Sequence, residues 1–425
     1  MKNMSDAQLT TASSQPTEGG VGAHSVRFLH TSDWQIGMGR RFLGEDNQRL
    51  FDEARLAAVE KLFAVADDRQ CEAIVVAGDV FDDNLLAEKT WTRILDVLRN
   101  APVPIYLLPG NHDPLNPASI YHQPSLQQLS PDNGGKVTVL QDSSLRTLRE
   151  GVEIIGAPLL SKVASEDLVY RALHDLAPAG NTIRIAVGHG HTESRDSVAD
   201  PSVIDVARLS ELAQQRVVDY VALGDTHSAM PLDERGVVWY SGAPEVTDFK
   251  EPDGGGESNS GKALVVDVGI DPENPAEPAA VTVEQVEIGQ WRFLAMTEDI
   301  NSPEDAEDFL AKLASLPQPR STVVKYALRG SIDLMTDIRL ETALAEQRPR
   351  FAALYERTRL MDLHVSPELS ELRGALQLRG YPEIAMENLL AVAEDQREAQ
   401  GTRDQATDAL KLLYRLAAGV QAKES

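Results

Sequence analysis

Five short stretches, each closing an apolar run, carry acids, amides and imidazoles in an order suited to gripping cations. They are Thr31-Ser32-Asp33-Trp34-Gln35, Gly78-Asp79-Val80-Phe81-Asp82, Gly110-Asn111-His112-Asp113, Gly188-His189-Gly190-His191 and Gly224-Asp225-Thr226-His227. Asp79 is the natural bridging ligand, because a carboxylate spans two cations far better than an imidazole does. Asp33 offers a terminal carboxylate, Asn111 a neutral carbonyl oxygen, and His189 and His227 imidazole nitrogens. No thiolate biases this set, which suits Mn²⁺, Mg²⁺, Fe²⁺ or Zn²⁺. The chemistry it points to is phosphoester hydrolysis, in which two cations roughly 3.5–4 Å apart activate a water and neutralise phosphoryl charge. His112, beside a candidate ligand, is placed to protonate a leaving alkoxide. An acid would orient it and keep it charged: Asp82, three residues after Asp79, is the first candidate and Asp113 the second.

Taken singly, these stretches say little. Gly-Asp after a strand is more often a turn, Asn-His-Asp can cap a helix, and a Gly-His pair is weaker still. His24, His122, His174 and His364 lack any such context and read as surface or packing residues. The force lies in five of them in order, each at a strand end. His191 stands near enough to the fourth stretch to be a substrate contact.

The elements that must position them follow from hydrophobic pattern. Val26 to His30 reads as a strand ending at Asp33. A helix follows from about Asp46 to Arg69, with Leu50, Ala54, Ala57, Ala58, Leu62 and Val65 at helical spacing. Ala73 to Ala77 is a continuous apolar run suited to a buried strand. A second helix, about Leu86 to Arg99, leads to the strand Ile105 to Leu108. This alternation predicts right-handed crossovers and parallel strands, with ligands gathering outside their carboxyl ends. Further strands are expected near 137–140, 152–155, 183–187, 218–223, 237–240, 263–268 and 281–288, with Gly- and Pro-rich loops at 251–262 and 271–280. The fold class is therefore α/β, with helices flanking a sheet of largely parallel strands. Composition changes near Gly289. Beyond it a small α+β module is expected (strand, helix 303–313, strand 322–328, helix 332–345), and then mostly helix from Tyr381 to Ala417, with a break at Gly401. The expected domains are a disordered tail over 1–24, a catalytic domain over 25–288, an α+β module over 289–368 and a helical segment over 369–425.

A chain of 425 residues exceeds one ordinary core, and 42% hydrophobic with 25% charged residues is ordinary for a globular protein. One cysteine, Cys71, excludes an internal disulfide and fits a reducing compartment. With no apolar run of signal-peptide or membrane-span length, a cytoplasmic, membrane-free protein is expected. The net charge of −26 argues against gripping nucleic acid by charge alone and leans toward a small substrate. It does not exclude a nuclease, since bound cations reverse the local field and a basic partner could hold the polymer.

The stretches His30 to Trp34, Ala77 to Asp82, Leu108 to Asp113 and Tyr220 to His227 resemble the calcineurin-like metallophosphoesterase superfamily. Tyr240-Ser241-Gly242-Ala243-Pro244, followed by Thr247-Asp248-Phe249, makes the chain similar to the SbcD-type nucleases of SbcCD complexes and their double-strand-break-repair relatives. The resemblance covers roughly residues 25–270. It implies one metal held by Asp33, Gln35, Asp79 and His227, and a second by Asp79, Asn111, His189 and Asp225, with His112 as catalytic imidazole. It also implies a β-sandwich flanked by helices, Mn²⁺ as the usual metal, DNA ends as substrate, a homodimer, and an SbcC-like coiled-coil ATPase partner. The module over 289–368 then takes the place of a capping domain, and the C-terminal helices that of the ATPase-docking segment. Two positions depart from the family pattern, which has His where Gln35 and Asp225 stand. Gln35 is a poorer ligand than imidazole. Asp225 is a competent one that adds negative charge, so a working site with altered metal preference is expected, the alternative being a catalytically weakened DNA-end scaffold. Arg40, Arg41, Lys162 and Arg195 are candidate DNA-phosphate contacts.

Overall fold

The computed structural model describes residues 24–192, 200–251, 255–366, 380–403, 405–410 and 412–413. The expected tail over 1–24 lies, except for residue 24, outside the described residues, as do Arg195 and much of the C-terminal segment.

Strand β1 (Ser25–Thr31) pairs in parallel with β2 (Ala73–Val76), which pairs in parallel with β3 (Ile105–Leu107), and β3 with β4 (Val137–Val139). Helices α1 (Gly44–Asp68) and α2 (Glu88–Arg99) make the crossovers between them. On the other side of β1 the antiparallel strands β11 (Lys262–Gly269) and β12 (Ala280–Glu287) complete a six-stranded sheet. A second six-stranded sheet runs β5 (Arg146–Arg149), β6 (Val152–Gly156), β7 (Ile183–His189), β8 (Tyr220–Gly224), β10 (Val238–Tyr240) and β9 (Met230–Pro231), with β6, β7, β8 and β10 parallel.

The continuous apolar runs are explained by burial on both faces. In β2, Ala73 and Val75 join Phe28, Tyr106, Ile154, Ile185 and Tyr220 in the core between the sheets. Their neighbours Ile74 and Val76 pack outward against Val59 and Leu62 of α1 and Ile94 and Leu98 of α2. Successive side chains point to opposite faces, so a strand with no polar face must be covered twice. The second sheet is covered likewise by the helices Leu168–Leu173 and Val206–Gln214, through Val169, Leu173, Leu209 and Leu212. Each fully buried Val, Leu, Ile or Phe contributes roughly 1.5–3 kcal/mol. The buried face of α1 is Phe51, Ala58, Val59, Leu62, Phe63 and Ala66, turned from the face the periodicity predicts; Leu50 is 47% exposed. The phenylalanines decide the rotation because they remove the most apolar surface from water.

Past β12 a third sheet forms from β13 (Arg292–Ile300), β14 (Thr322–Asp333), β15 (Ala353–Glu356) and β16 (Asp362–Ser366), all parallel to β14, with the helices Pro303–Ala314 and Leu334–Gln347. Phe42, Phe249, Phe293 and Tyr355 stack at its junction with the loops of the first two sheets. The helix Tyr381–Glu394 ends at Asp395, and helical residues resume at 400. The break thus precedes Gly401, which sits inside the second helical run. Among the described residues no helix is long and apolar enough to cross a membrane.

Candidate metal centre

The carboxyl ends of β1, β2 and β3 in one sheet meet those of β7 and β8 in the other, and all five motifs sit on that seam. Two of the loops are zipped together by backbone: Asp33 N donates to Gly78 O (3.0 Å), Gln35 N to Asp79 O (2.8 Å) and Ile36 N to Val80 O (3.0 Å). This pairing forces unusual backbone. Asp33, Gln35, Asp79 and Asp225 all have positive φ (54°, 42°, 51° and 103°). Each such residue costs on the order of 1–3 kcal/mol, strain that typically clusters at functional sites. Two glycines are dictated by crowding. A Cβ on Gly78 would lie 2.2 Å from His189 Nδ1, and one on Gly110 would lie 2.2 Å from Asp79 Oδ1.

The side chains converge. Ligand atoms of Asp33, Asp79 and His189, all buried, lie within 4.8 Å of one another. His189 Nδ1 donates to Ala77 O (2.8 Å), fixing the ring, while Nε2 lies 2.7 Å from Asn111 Oδ1, 3.4 Å from Asp79 Oδ1 and 3.9 Å from Asp225 Oδ1. Asp225 N donates to both carboxylate oxygens of Asp33 (3.3 Å each). His227 Nε2 is 3.8 Å from Asp33 Oδ1 and 3.3 Å from Gln35 Nε2. The seven predicted ligands are thus brought together.

Burial pushes Asp33 up, although His227 and His189 pull it down. Burial also acts to raise Asp79, but His189 and His112 outweigh it and hold its carboxyl below the usual range. Burial opposes a charged His189, yet Asp79, Asp33 and Asp225 overcome it and keep the ring protonated well above its ordinary value. Three carboxylates held this close call for positive charge among them. Gln35 Oε1, buried, has no hydrogen-bond partner, so this amide oxygen has its acceptor capacity to spare. Three carboxylates, two amides and two imidazoles fit divalent cations of the hard to borderline kind.

His112 stands at the rim with its side chain 40% exposed. Its backbone N–H donates to Asp79 Oδ1 (2.9 Å). Its Nδ1 donates to the Asp82 carbonyl (3.0 Å), with Asp82 Oδ1 at 3.6 Å. Asp82 is the largest cause raising His112 to about 9, and Asp79 adds to it. Asp113, the second candidate orienter, faces the other way. It accepts from Gly110 N (2.7 Å), Phe81 N (2.9 Å) and Tyr121 Oη (2.7 Å), buttressing the loops from beneath. His191 Nε2 instead pairs with Asp200 Oδ2 (3.3 Å). Arg40 is half-buried, and Arg41 and Lys162 are exposed.

Sequence reasoning passed over three residues. Arg55, buried on α1, donates through Nη2 to the carbonyls of Trp34 and Gln35 (2.9 Å to the latter) and so holds the first loop. His30, buried, accepts from Tyr220 Oη (3.0 Å) at Nδ1 and donates to Leu223 O (3.2 Å), tying the two sheets together. Glu257, buried, accepts from His227 Nδ1 (2.7 Å). An arginine amid helical apolar spacing could have flagged the first, and His30 heads the stretch that runs to Trp34; Glu257 carries no local signal.

Residues 26–229 match the profile of the calcineurin-like phosphoesterases. The chain is 25% identical over 253 residues to the SbcD component of the SbcCD nuclease of Bacillus subtilis (strain 168), covering 53% of this chain and 63% of that one. It is 24% identical over 258 residues to the SbcD component of Escherichia coli (strain K12), covering 53% and 62%. It therefore spans less than two thirds of the length of these relatives. A dimetal phosphatase structure from Danio rerio aligns at 12% identity over 62% of this chain and 99% of that one, with a TM-score of 0.36, too loose to bear on the reaction. The matched segment contains every motif of the seam, and residues 26–229 form a calcineurin-like metallophosphoesterase domain.

Proposed function

We propose that this metal-dependent phosphoesterase is a DNA nuclease subunit that acts on DNA ends as a homodimer with an SbcC-like coiled-coil ATPase in the cytoplasm. The observation that carries phosphoester hydrolysis is the buried Asp33–Asp79–His189 cluster with His112 at its solvent rim. The step to DNA rests on the similarity to the SbcD components of SbcCD nucleases.

Asp33, Gln35, Asp79 and His227 would hold one cation, and Asp79, Asn111, His189 and Asp225 the other, with Mn²⁺ the proposed ion. The pair, when bound, lowers the pKa of a water and neutralises charge on the phosphoryl oxygens. His112 carries the proton for the departing sugar oxygen, and Asp82 orients its ring through Nδ1 so that Nε2 faces the site. Asp79 does two tasks, since the oxygen that accepts the His112 backbone N–H is fixed in place by that bond. The third sheet serves as the capping module, Arg40 and Arg41 as phosphate contacts beside the first loop, and the C-terminal helices as the ATPase dock.

A second reading, hydrolysis of small phosphodiesters or phosphomonoesters, is favoured by the net charge of −26. The two separate by experiment. Manganese-dependent cleavage of linear duplex DNA is measured with and without the coiled-coil ATPase, beside turnover of a chromogenic diester. Diester turnover without DNA cleavage, even with the ATPase present, defeats the nuclease reading.

A further inference from the structure

Glu257 is a buried acid that no step above uses. Backbone pairing fixes its place: Lys250 bridges to Gly256, and Glu257 N donates to Phe249 O (3.1 Å). Its two oxygens are fully committed. Oε1 accepts from His227 Nδ1 (2.7 Å) and from the Thr247 hydroxyl, and Oε2 accepts from Thr247 N (2.8 Å). Every polar group that faces this carboxyl is placed to donate to it: the Thr247 N–H, the Thr247 hydroxyl and His227 Nδ1. An acceptor-only partner at Nδ1 leaves that nitrogen as the donor. In the neutral imidazole, Nε2 then keeps its lone pair, and Nε2 faces Gln35 and Asp33.

We propose that Glu257 is the positioning residue that fixes the tautomer and ring plane of His227 for metal, and that the Gln35-side cation depends on it. This rests on the metal-centre reading above. The dependence is sharpened at this site because Gln35 contributes only a neutral amide, leaving His227 as the one imidazole on that side. Glutamine at 257 cannot reproduce the arrangement. If its oxygen faces Thr247 N, its NH₂ faces His227, which turns Nδ1 into an acceptor and places the proton on Nε2. If its oxygen faces His227, NH₂ meets the Thr247 N–H, donor against donor.

The test is calorimetric titration of Mn²⁺ into the full-length chain and its Glu257→Gln variant, with the ¹⁵N spectrum of the zinc-loaded, histidine-labelled proteins as a second readout. Wild type is expected to take two ions. Glu257→Gln should lose about 10–100-fold in affinity at one site and little at the other, with the His227 Nε2 resonance losing its metal-bound shift. Both sites binding as in wild type, with an unchanged spectrum, overturns the proposal while leaving the metal centre standing. A wild-type chain that takes up no manganese instead sinks the metal-centre reading. Should Glu257→Gln unfold, Glu257→Asp decides: a carboxylate still able to accept from both donors should lose less than tenfold, and complete loss of one site there contradicts the tautomer argument.

Discussion

Replacing Gly110 with alanine tests how tightly the seam is built. The added Cβ would stand 2.2 Å from Asp79 Oδ1 and 2.5 Å from Asp79 N. Ordinary carbon–oxygen contacts begin at about 3.3 Å, so the bridging carboxylate or the Gly110 loop must retreat by about 1 Å. A displacement of that size near reacting groups costs about 10²-fold in rate, or about 2.7 kcal/mol of transition-state stabilisation. The same retreat pulls Asp79 away from the His112 N–H that it accepts. Turnover of a chromogenic diester at saturating manganese should therefore fall about 100-fold, and manganese affinity should fall with it. The folded core should persist, since Gly110 lies beyond the end of β3. Gly39→Ala is the matched control: nothing lies within 4 Å of its added Cβ and its φ is not positive, so rate and affinity should match wild type. If Gly110→Ala matches wild type too, Asp79 is not held where the chemistry needs it.

Other outcomes follow from the same geometry. Gln35→His, supplying imidazole where an amide now stands, should raise manganese affinity at one site, read by calorimetry; weaker binding would mean that the loop cannot accept the ring. His112→Ala should lower the rate by about 10²–10⁴-fold while metal content by elemental analysis stays unchanged; an equal loss of metal would make it a structural residue instead. Burial pushes His30 down to about 3 from 6.5, so the unfolded chain binds a proton there that the folded chain refuses. Stability from this group is complete above pH 6.5 and is lost as pH falls toward 3, to a limit of about 5 kcal/mol. His30→Gln should flatten the decline of the urea midpoint with acid, and parallel curves for the two proteins would refute the assignment.

The sequence alone determined the alternation of apolar runs and helices, the five motifs and their order, and which residue types could bind cations. These are properties of neighbours in the chain: β-branched runs seek burial on both faces, and a strand end releases the residues that follow it. Even so, the rotation of α1, the strands β15 and β16, and the break before Gly401 escaped it, because bulk packing and long-range pairing choose among similar local patterns. Only the tertiary structure decided how the ligands divide between the two sheets. It turned Asp113 inward to three donors while Asp82 took His112, and it set Glu257 behind His227 across 30 residues. Hydrogen bonds between residues far apart in the chain follow from how sheets and loops stack, and no local spacing encodes that.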